Sequence, residues 1–212
     1  MLKLLLLAFE CTLLFIGLPL SIKYRILPNL PIPYLLLAGL AVFLLLRRDP
    51  AFDSSHLVVW GNVRPFLALI LFRDAICLLL LGLAVWWFAP QSLFSLIEER
   101  PLLWALIMVF YPLLSVYPQE LLYRAFFFHR YRPLFGSSWT MLLASAFAFG
   151  FVHIIFSNWL AVGLCVLGGL LFSFTYHQSS SLLLACLDHA IFGNFIFTIG
   201  LGRFFYHGTP RP

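Results

Sequence analysis

The chain has 212 residues, of which 63% are hydrophobic and 10% are charged, and its mean hydropathy is +1.00. Soluble domains are roughly 45–50% apolar and about 25% charged, so this composition excludes a water-soluble globular protein. The net charge of +5 comes from Lys and Arg residues scattered singly or in pairs between apolar runs. A nucleic-acid-binding chain clusters such charges, so no nucleic acid is expected as a partner.

Seven apolar segments follow one another along the chain. A membrane-spanning helix needs about 20 largely apolar residues, so each segment is predicted to cross the bilayer. A long polar connection, residues 47–66, is predicted to be a loop. The predicted spans are approximately 4–20, 31–46, 75–89, 102–116, 139–156, 160–176 and 182–201.

These segments predict an all-α fold, a polytopic transmembrane helical bundle of about seven spans. Residues 1–212 are expected to form a single integral membrane domain whose first partner is the lipid bilayer. In a bacterium, the host would be the cell (inner) membrane.

Three acidic residues, Glu10, Glu120 and Asp188, occur in apolar surroundings. A charge at the bilayer centre costs at least about 2.5–3.5 kcal/mol on insertion scales, so such residues pair, face a cavity or take part in function. Arg124 follows Glu120 by four residues, which places both side chains on one helix face. An internal ion pair is therefore predicted between them.

Two histidines add to this inventory on later segments. His153 follows Phe149 by four residues in FGFVH, and His189 precedes Asn194 in HAIFGN. Histidines on separate helices beside a carboxylate and an amide are the groups that activate a water for hydrolysis. The pattern favours a catalytic site between the helices.

The three motifs, taken together, resemble those of the CPBP intramembrane proteases, which include CAAX prenyl endopeptidases and bacteriocin-processing proteins. That family carries EExxxR, FxxxH and HxxxN on three helices. This chain has QELLYR, FGFVH and HAIFGN in the same order within residues 118–194.

The resemblance implies an intramembrane endopeptidase without a cofactor. Glu120 and His153 would activate a water, His189 and Asn194 would stabilise the oxyanion, and Gln119 and Arg124 would support the site. The substrate would be a peptide or protein delivered through the membrane, lipidated or with a transmembrane tail.

Two positions depart from the family pattern. Gln119 replaces the first glutamate, and an amide orients a water but cannot take its proton. Gly193 stands where the asparagine is expected, and Asn194 follows it. Either Glu120 serves as the base, or the chain is a noncatalytic scaffold or peptide-binding relative.

A metal-dependent enzyme is a further alternative. Glu120, His153 and His189 supply the two histidines and one glutamate of some zinc hydrolases, although the HExxH spacing is missing.

Overall fold

The computed structural model describes residues 1–57 and 63–205, and these residues contain no β-strand. Short 3₁₀ turns occur at Ser54–Leu57, Pro90–Ser92 and Leu201–Phe205. The helices are α1 Leu2–Lys23, α2 Pro31–Arg48, α3 Val63–Phe88, α4 Ser95–Glu99, α5 Pro101–Arg130, α6 Arg132–Phe135, α7 Trp139–Phe156, α8 Trp159–Ser179 and α9 Leu182–Thr198.

Six helices in the described part of the chain are long and apolar enough to cross a membrane, namely α1, α2, α3, α5, α7 and α8. Helix α9 is also apolar but has only 17 residues. The prediction of an all-α polytopic bundle with about seven spans is confirmed. The chain is an integral, multi-pass membrane protein.

The predicted third span, 75–89, begins too late. Helix α3 starts at Val63 and carries Arg73 and Asp74 within its length, where the sequence placed the membrane edge. Arg73 lies 2.6 Å from Asp188 of α9, and charged residues are tolerated inside a span when they are paired. Residues 58–62 of the predicted loop lie outside the described part of the chain.

Helix α5 is also longer than its predicted span, 102–116, because it continues to Arg130. Two π-helical stretches, Pro112–Val116 and Leu121–Phe126, interrupt its α-helical course. Proline has no amide hydrogen, so Pro112 leaves the carbonyl of Met108 without its usual donor four residues later. Such π-helical turns often occur at functional sites.

The centre of the bundle is formed by α7, α8 and α9, and α7 is the most enclosed of the long helices. Of the 18 residues of α7, 56% are buried, against 11% of an 18-residue stretch of α3. A Cβ atom at Gly150 of α7 would collide with the backbone of Val166 in α8. The small residue therefore lets the two helices pack backbone against backbone, as is common between membrane helices.

Candidate active site

A cavity of about 690 Å³ opens between α2, α3, α5, α7, α8 and α9. Its walls are mostly Leu, Ile, Val and Phe side chains, and none of its described lining residues is Asp, Glu, Lys or Arg. An apolar cavity with a few convergent polar groups is the usual form of a ligand site. Its polar lining consists of Tyr111, Ser115, Gln119, Tyr123, His153 and His189.

Glu120 and Arg124 form the predicted ion pair, and both side chains are fully buried. Arg124 Nε lies 3.1 Å from Glu120 Oε2 at ion-pair distance, but the two atoms do not make a hydrogen bond. Arg124 Nη2 donates to the carbonyl of Gly169 at 3.1 Å. Its guanidinium also lies over the rings of Phe149 and Phe172, 4.7 and 5.6 Å from their centroids. The pair, which belongs to α5, is therefore held in place by contacts to α7 and α8.

His189 connects this ion pair to the cavity. Its Nδ1 lies 2.8 Å from Glu120 Oε1, and its Nε2 lies 3.0 Å from the hydroxyl oxygen of Tyr111. An ionised carboxylate only accepts hydrogen bonds, so Nδ1 carries a hydrogen, and in the neutral form of the ring Nε2 accepts from the Tyr111 hydroxyl. Tyr111, Glu120, Arg124 and His189 are called the site cluster below.

Aromatic rings fix the plane of the His189 imidazole. The ring stacks on Phe172 with centroids 4.6 Å apart and meets Phe149 edge-on at 5.2 Å. Phe149 also packs against His153 at 5.2 Å. The phenylalanine of FGFVH thus contacts both histidines on the cavity wall.

His153 lies where α7 changes from an α-helix to a 3₁₀ turn. Its amide bonds to the carbonyl of Gly150, so the carbonyl of Phe149 accepts instead from His153 Nδ1, at 2.8 Å. A carbonyl cannot donate, which means that Nδ1 carries the hydrogen. The other nitrogen, Nε2, has no hydrogen-bond partner among the described residues and is the basic atom of the neutral ring.

Gln119 lines the cavity, whereas the adjacent Glu120 does not. The side-chain amide of Gln119 donates to Ser115 Oγ at 2.7 Å, which holds the amide against α5. The carboxylate of Glu120 faces Arg124 and His189 instead. Glu120 therefore reaches the cavity only through His189.

Asn194 does not line the cavity. Its Nδ2 donates to the carbonyl of Met108 at 3.3 Å, the acceptor that Pro112 leaves without a helical donor. The amide thus compensates for the proline in α5. Gly193, one residue earlier, faces the cavity instead.

The other two acids that the sequence singled out, Asp188 and Glu10, lie outside the cavity. Asp188 pairs with Arg73 and accepts from Thr175 Oγ1 at 2.5 Å. Glu10 accepts from Arg130 at 2.7 Å and from the Tyr131 hydroxyl at 3.0 Å.

The structure thus brings His153, His189 and Gln119 to one cavity and keeps Glu120 directly behind His189. Tyr111 and Ser115 also line this cavity, and sequence reasoning did not select them. Ser115 precedes Gln119 by four residues on α5, a spacing that could have indicated their contact. For Tyr111, the sequence signal was Gly193 at the position where the motif expects an asparagine, because a glycine there leaves room for a large side chain from another helix.

The zinc alternative does not fit these residues. Among the described residues, no three His, Cys, Asp or Glu side chains form a group that could hold a metal ion. The proposed ligands Glu120 and His189 are already paired with each other at 2.8 Å.

A comparison with protein families gives a match over residues 101–195, to the family described as Type II CAAX prenyl endopeptidase Rce1-like. The matched segment contains QELLYR, FGFVH and HAIFGN together with Tyr111. No curated protein and no solved structure matches the chain. The predicted resemblance to the CPBP family is confirmed over residues 101–195, which match the Rce1-like type II CAAX prenyl endopeptidases.

Proposed function

We propose that the protein is an intramembrane endopeptidase that hydrolyses a peptide bond inside this cavity. The observation that carries the proposal is His153, which lines the same cavity as Gln119 and His189 and whose Nδ1 is bound to the Phe149 carbonyl, so that Nε2 is left as its basic atom. A protease family match over the same segment supports amide hydrolysis as the reaction.

In this mechanism His153 is the general base. A water within hydrogen-bond distance of Nε2 gives up its proton as its oxygen attacks the substrate carbonyl. The side-chain oxygen of Gln119 orients that water, because an amide oxygen accepts a hydrogen bond without taking the proton. The protonated His153 then donates to the leaving amine, so the proton taken from water ends on the new amino terminus.

Glu120 acts through His189 in this mechanism, and does not contact the water. The carboxylate holds the hydrogen of His189 on Nδ1 and fixes the ring, as a buried carboxylate does for the histidine of a serine protease triad. Arg124 pairs with Glu120 in turn. Asn194 serves as a structural donor to Met108 in this account.

The substrate is proposed to be a peptide or protein anchored in the bilayer by a lipid or a transmembrane tail. The apolar walls of the cavity suit a lipid chain or an apolar side chain better than a charged peptide. The family description names a CAAX prenyl endopeptidase, and in a CAAX sequence the cysteine, the fourth residue counted from the C-terminus, carries an isoprenoid. For a bacterial chain, the cell (inner) membrane is the proposed location.

A second function has one specific observation in its favour. Gln119 places an amide on the cavity wall where the family pattern has a carboxylate. The described lining contains no carboxylate at all. A protein that binds a lipidated peptide without cleaving it would have the same apolar cavity. Cleavage assays separate this noncatalytic relative from the enzyme.

The test uses the purified protein in liposomes with two fluorophore–quencher peptides, one ending in a farnesylated CAAX sequence and one with a transmembrane tail. We expect the wild type to cleave at least one of them, and His153→Ala to lower the rate by about 10²–10⁴-fold, the usual contribution of a general base. His177→Ala, at an exposed position near the end of α8, is the matched control. Binding of both peptides without cleavage would favour the noncatalytic function.

A further inference from the structure

Tyr111 occupies a space on α9 that only a glycine leaves open. A Cβ atom at Gly193 would collide with the Tyr111 ring and hydroxyl. The hydroxyl reaches His189 Nε2 at 3.0 Å through this space, and the ring meets the His189 ring edge-on with centroids 6.0 Å apart. Gly193 is the position at which the HxxxN pattern expects an asparagine.

We propose that the Tyr111 hydroxyl is the hydrogen-bond donor to the oxyanion of the tetrahedral intermediate. Tyr111 is then a catalytic residue that supplies from α5 the donor that α9 lacks at position 193. This inference rests on the proposed peptide hydrolysis and adds a group to its active site.

The neighbouring amides are already committed to other partners. Asn194 donates to the carbonyl of Met108 and does not line the cavity. The Gln119 amide donates to Ser115 Oγ at 2.7 Å. Tyr111 is the cavity hydroxyl that the buried Glu120–His189 pair holds in position.

The hydroxyl is suited to favour the transition state over the ground state. When the His189 ring is neutral, the hydroxyl donates its hydrogen to Nε2 in the resting site. Rotation about the phenol C–O bond turns the same hydrogen towards a substrate carbonyl oxygen in the cavity. A hydrogen bond to a charged oxygen is roughly twice as strong as one between neutral groups, so this exchange becomes favourable as the oxyanion forms.

The proton count closes without any change in Tyr111. Water gives its proton to His153 Nε2 while the new C–O bond forms, and His153 returns that proton to the amine as the C–N bond breaks. Tyr111 keeps its hydrogen throughout and only changes the acceptor to which it donates.

Tyr111→Phe is the direct test, because it removes the hydroxyl and keeps the ring against Gly193. In the liposome assay we expect kcat to fall by about 10²–10³-fold, the usual cost of one oxyanion donor, with KM changed by less than about threefold. Tyr117→Phe is the matched control, since Tyr117 lies on the same helix but outside the cavity.

Gly193→Ala provides a second, independent variant that keeps every hydrogen-bonding group. Its methyl group displaces the Tyr111 ring, so we expect a loss of kcat similar to that of Tyr111→Phe. If one variant does not fold, as judged by its melting temperature, the other decides the question.

The outcomes distinguish this inference from the proposed function. Wild-type rates in a folded Tyr111→Phe or Gly193→Ala variant, together with an inactive His153→Ala variant, would overturn the role of Tyr111 and leave peptide hydrolysis standing. No cleavage by the wild type would overturn both.

Discussion

Helix α9 carries two neighbouring residues that belong to different buried clusters. His189 joins the site cluster, whereas Asp188 joins Arg73, Asp74 and Thr175, which together are called the Asp188 cluster. Arg73 lies within hydrogen-bond distance of both carboxylates and of Thr175. This second cluster therefore links α3 to α8 and α9.

The two clusters differ in what they offer to a substrate. His189 and Tyr111 of the site cluster line the cavity, but no member of the Asp188 cluster does. A buried charge in a membrane helix is therefore insufficient to identify a catalytic residue, although each such residue is a candidate. The distinguishing property is a basic or donating atom that faces a cavity.

The largest expected effect comes from breaking the ion pair behind the site. Arg124→Leu leaves Glu120 buried without its cation, and removing one partner of a buried pair costs about 3–5 kcal/mol. We expect the variant to be largely absent from the membrane fraction and to unfold at a lower temperature in detergent.

Arg130→Leu is the control for that experiment. Arg130 pairs with Glu10 at 2.7 Å, but its side chain is 48% exposed, and exposed pairs contribute about 0–1 kcal/mol. Equal accumulation of both variants would show that burial of the Arg124 pair contributes nothing to stability.

Replacing each carboxylate by its amide sharpens the comparison between the clusters. Glu120→Gln replaces the carboxylate by an amide, which can donate to His189 Nδ1 and so shift the ring hydrogen to Nε2. We therefore expect cleavage to fall by about 10²–10⁴-fold in folded protein, by analogy with the triad carboxylate. Asp188→Asn should lower the melting temperature through weaker contacts to Arg73 while the folded fraction keeps its cleavage rate within about threefold. A larger loss of rate in Asp188→Asn than in Glu120→Gln would reverse the assignment of the two clusters.

The smallest effect is expected outside the membrane spans, where Asp49 accepts from His129 at 2.8 Å. This hydrogen bond holds the pKa of Asp49 below its usual value. Its contribution to stability is therefore present above the usual pKa of an aspartate and is lost as the pH falls through the lowered folded-state pKa. Melting temperatures measured from pH 6 downward should decline less in Asp49→Asn than in the wild type, and identical curves would exclude the contribution.

The helical bundle was predictable because apolar runs of span length dominate the sequence. The start of α3 and the end of α5 were not predictable. In α3, Arg73 and Asp74 interrupt the apolar pattern. Their acceptability inside a span depends on Asp188, which lies 115 residues from Arg73 along the chain. A single sequence does not show which distant residues pair in the folded protein.

The residues of the candidate site were largely predictable from the motifs, but the contacts between them were not. The i+4 spacing indicated the Glu120–Arg124 pair, but the contact between Glu120 and His189 spans 69 residues. The hydrogen-bond partner of Asn194 is the carbonyl of Met108 on another helix, which is free to accept because Pro112 has no amide hydrogen. Tyr111 escaped notice because its position follows from the missing side chain at Gly193.

The substitution Gln119→Glu tests the central claim most directly. The claim is that His153 serves as the base in a site where Gln119 replaces the first glutamate of the family motif. Wild type and Gln119→Glu are compared side by side for cleavage of the farnesylated CAAX peptide and the transmembrane-tailed peptide in liposomes. The account predicts that the wild type cleaves and that Gln119→Glu changes the rate by less than about tenfold, because the base at His153 is already present. Cleavage by Gln119→Glu with none by the wild type would contradict the account and identify the protein as a noncatalytic relative.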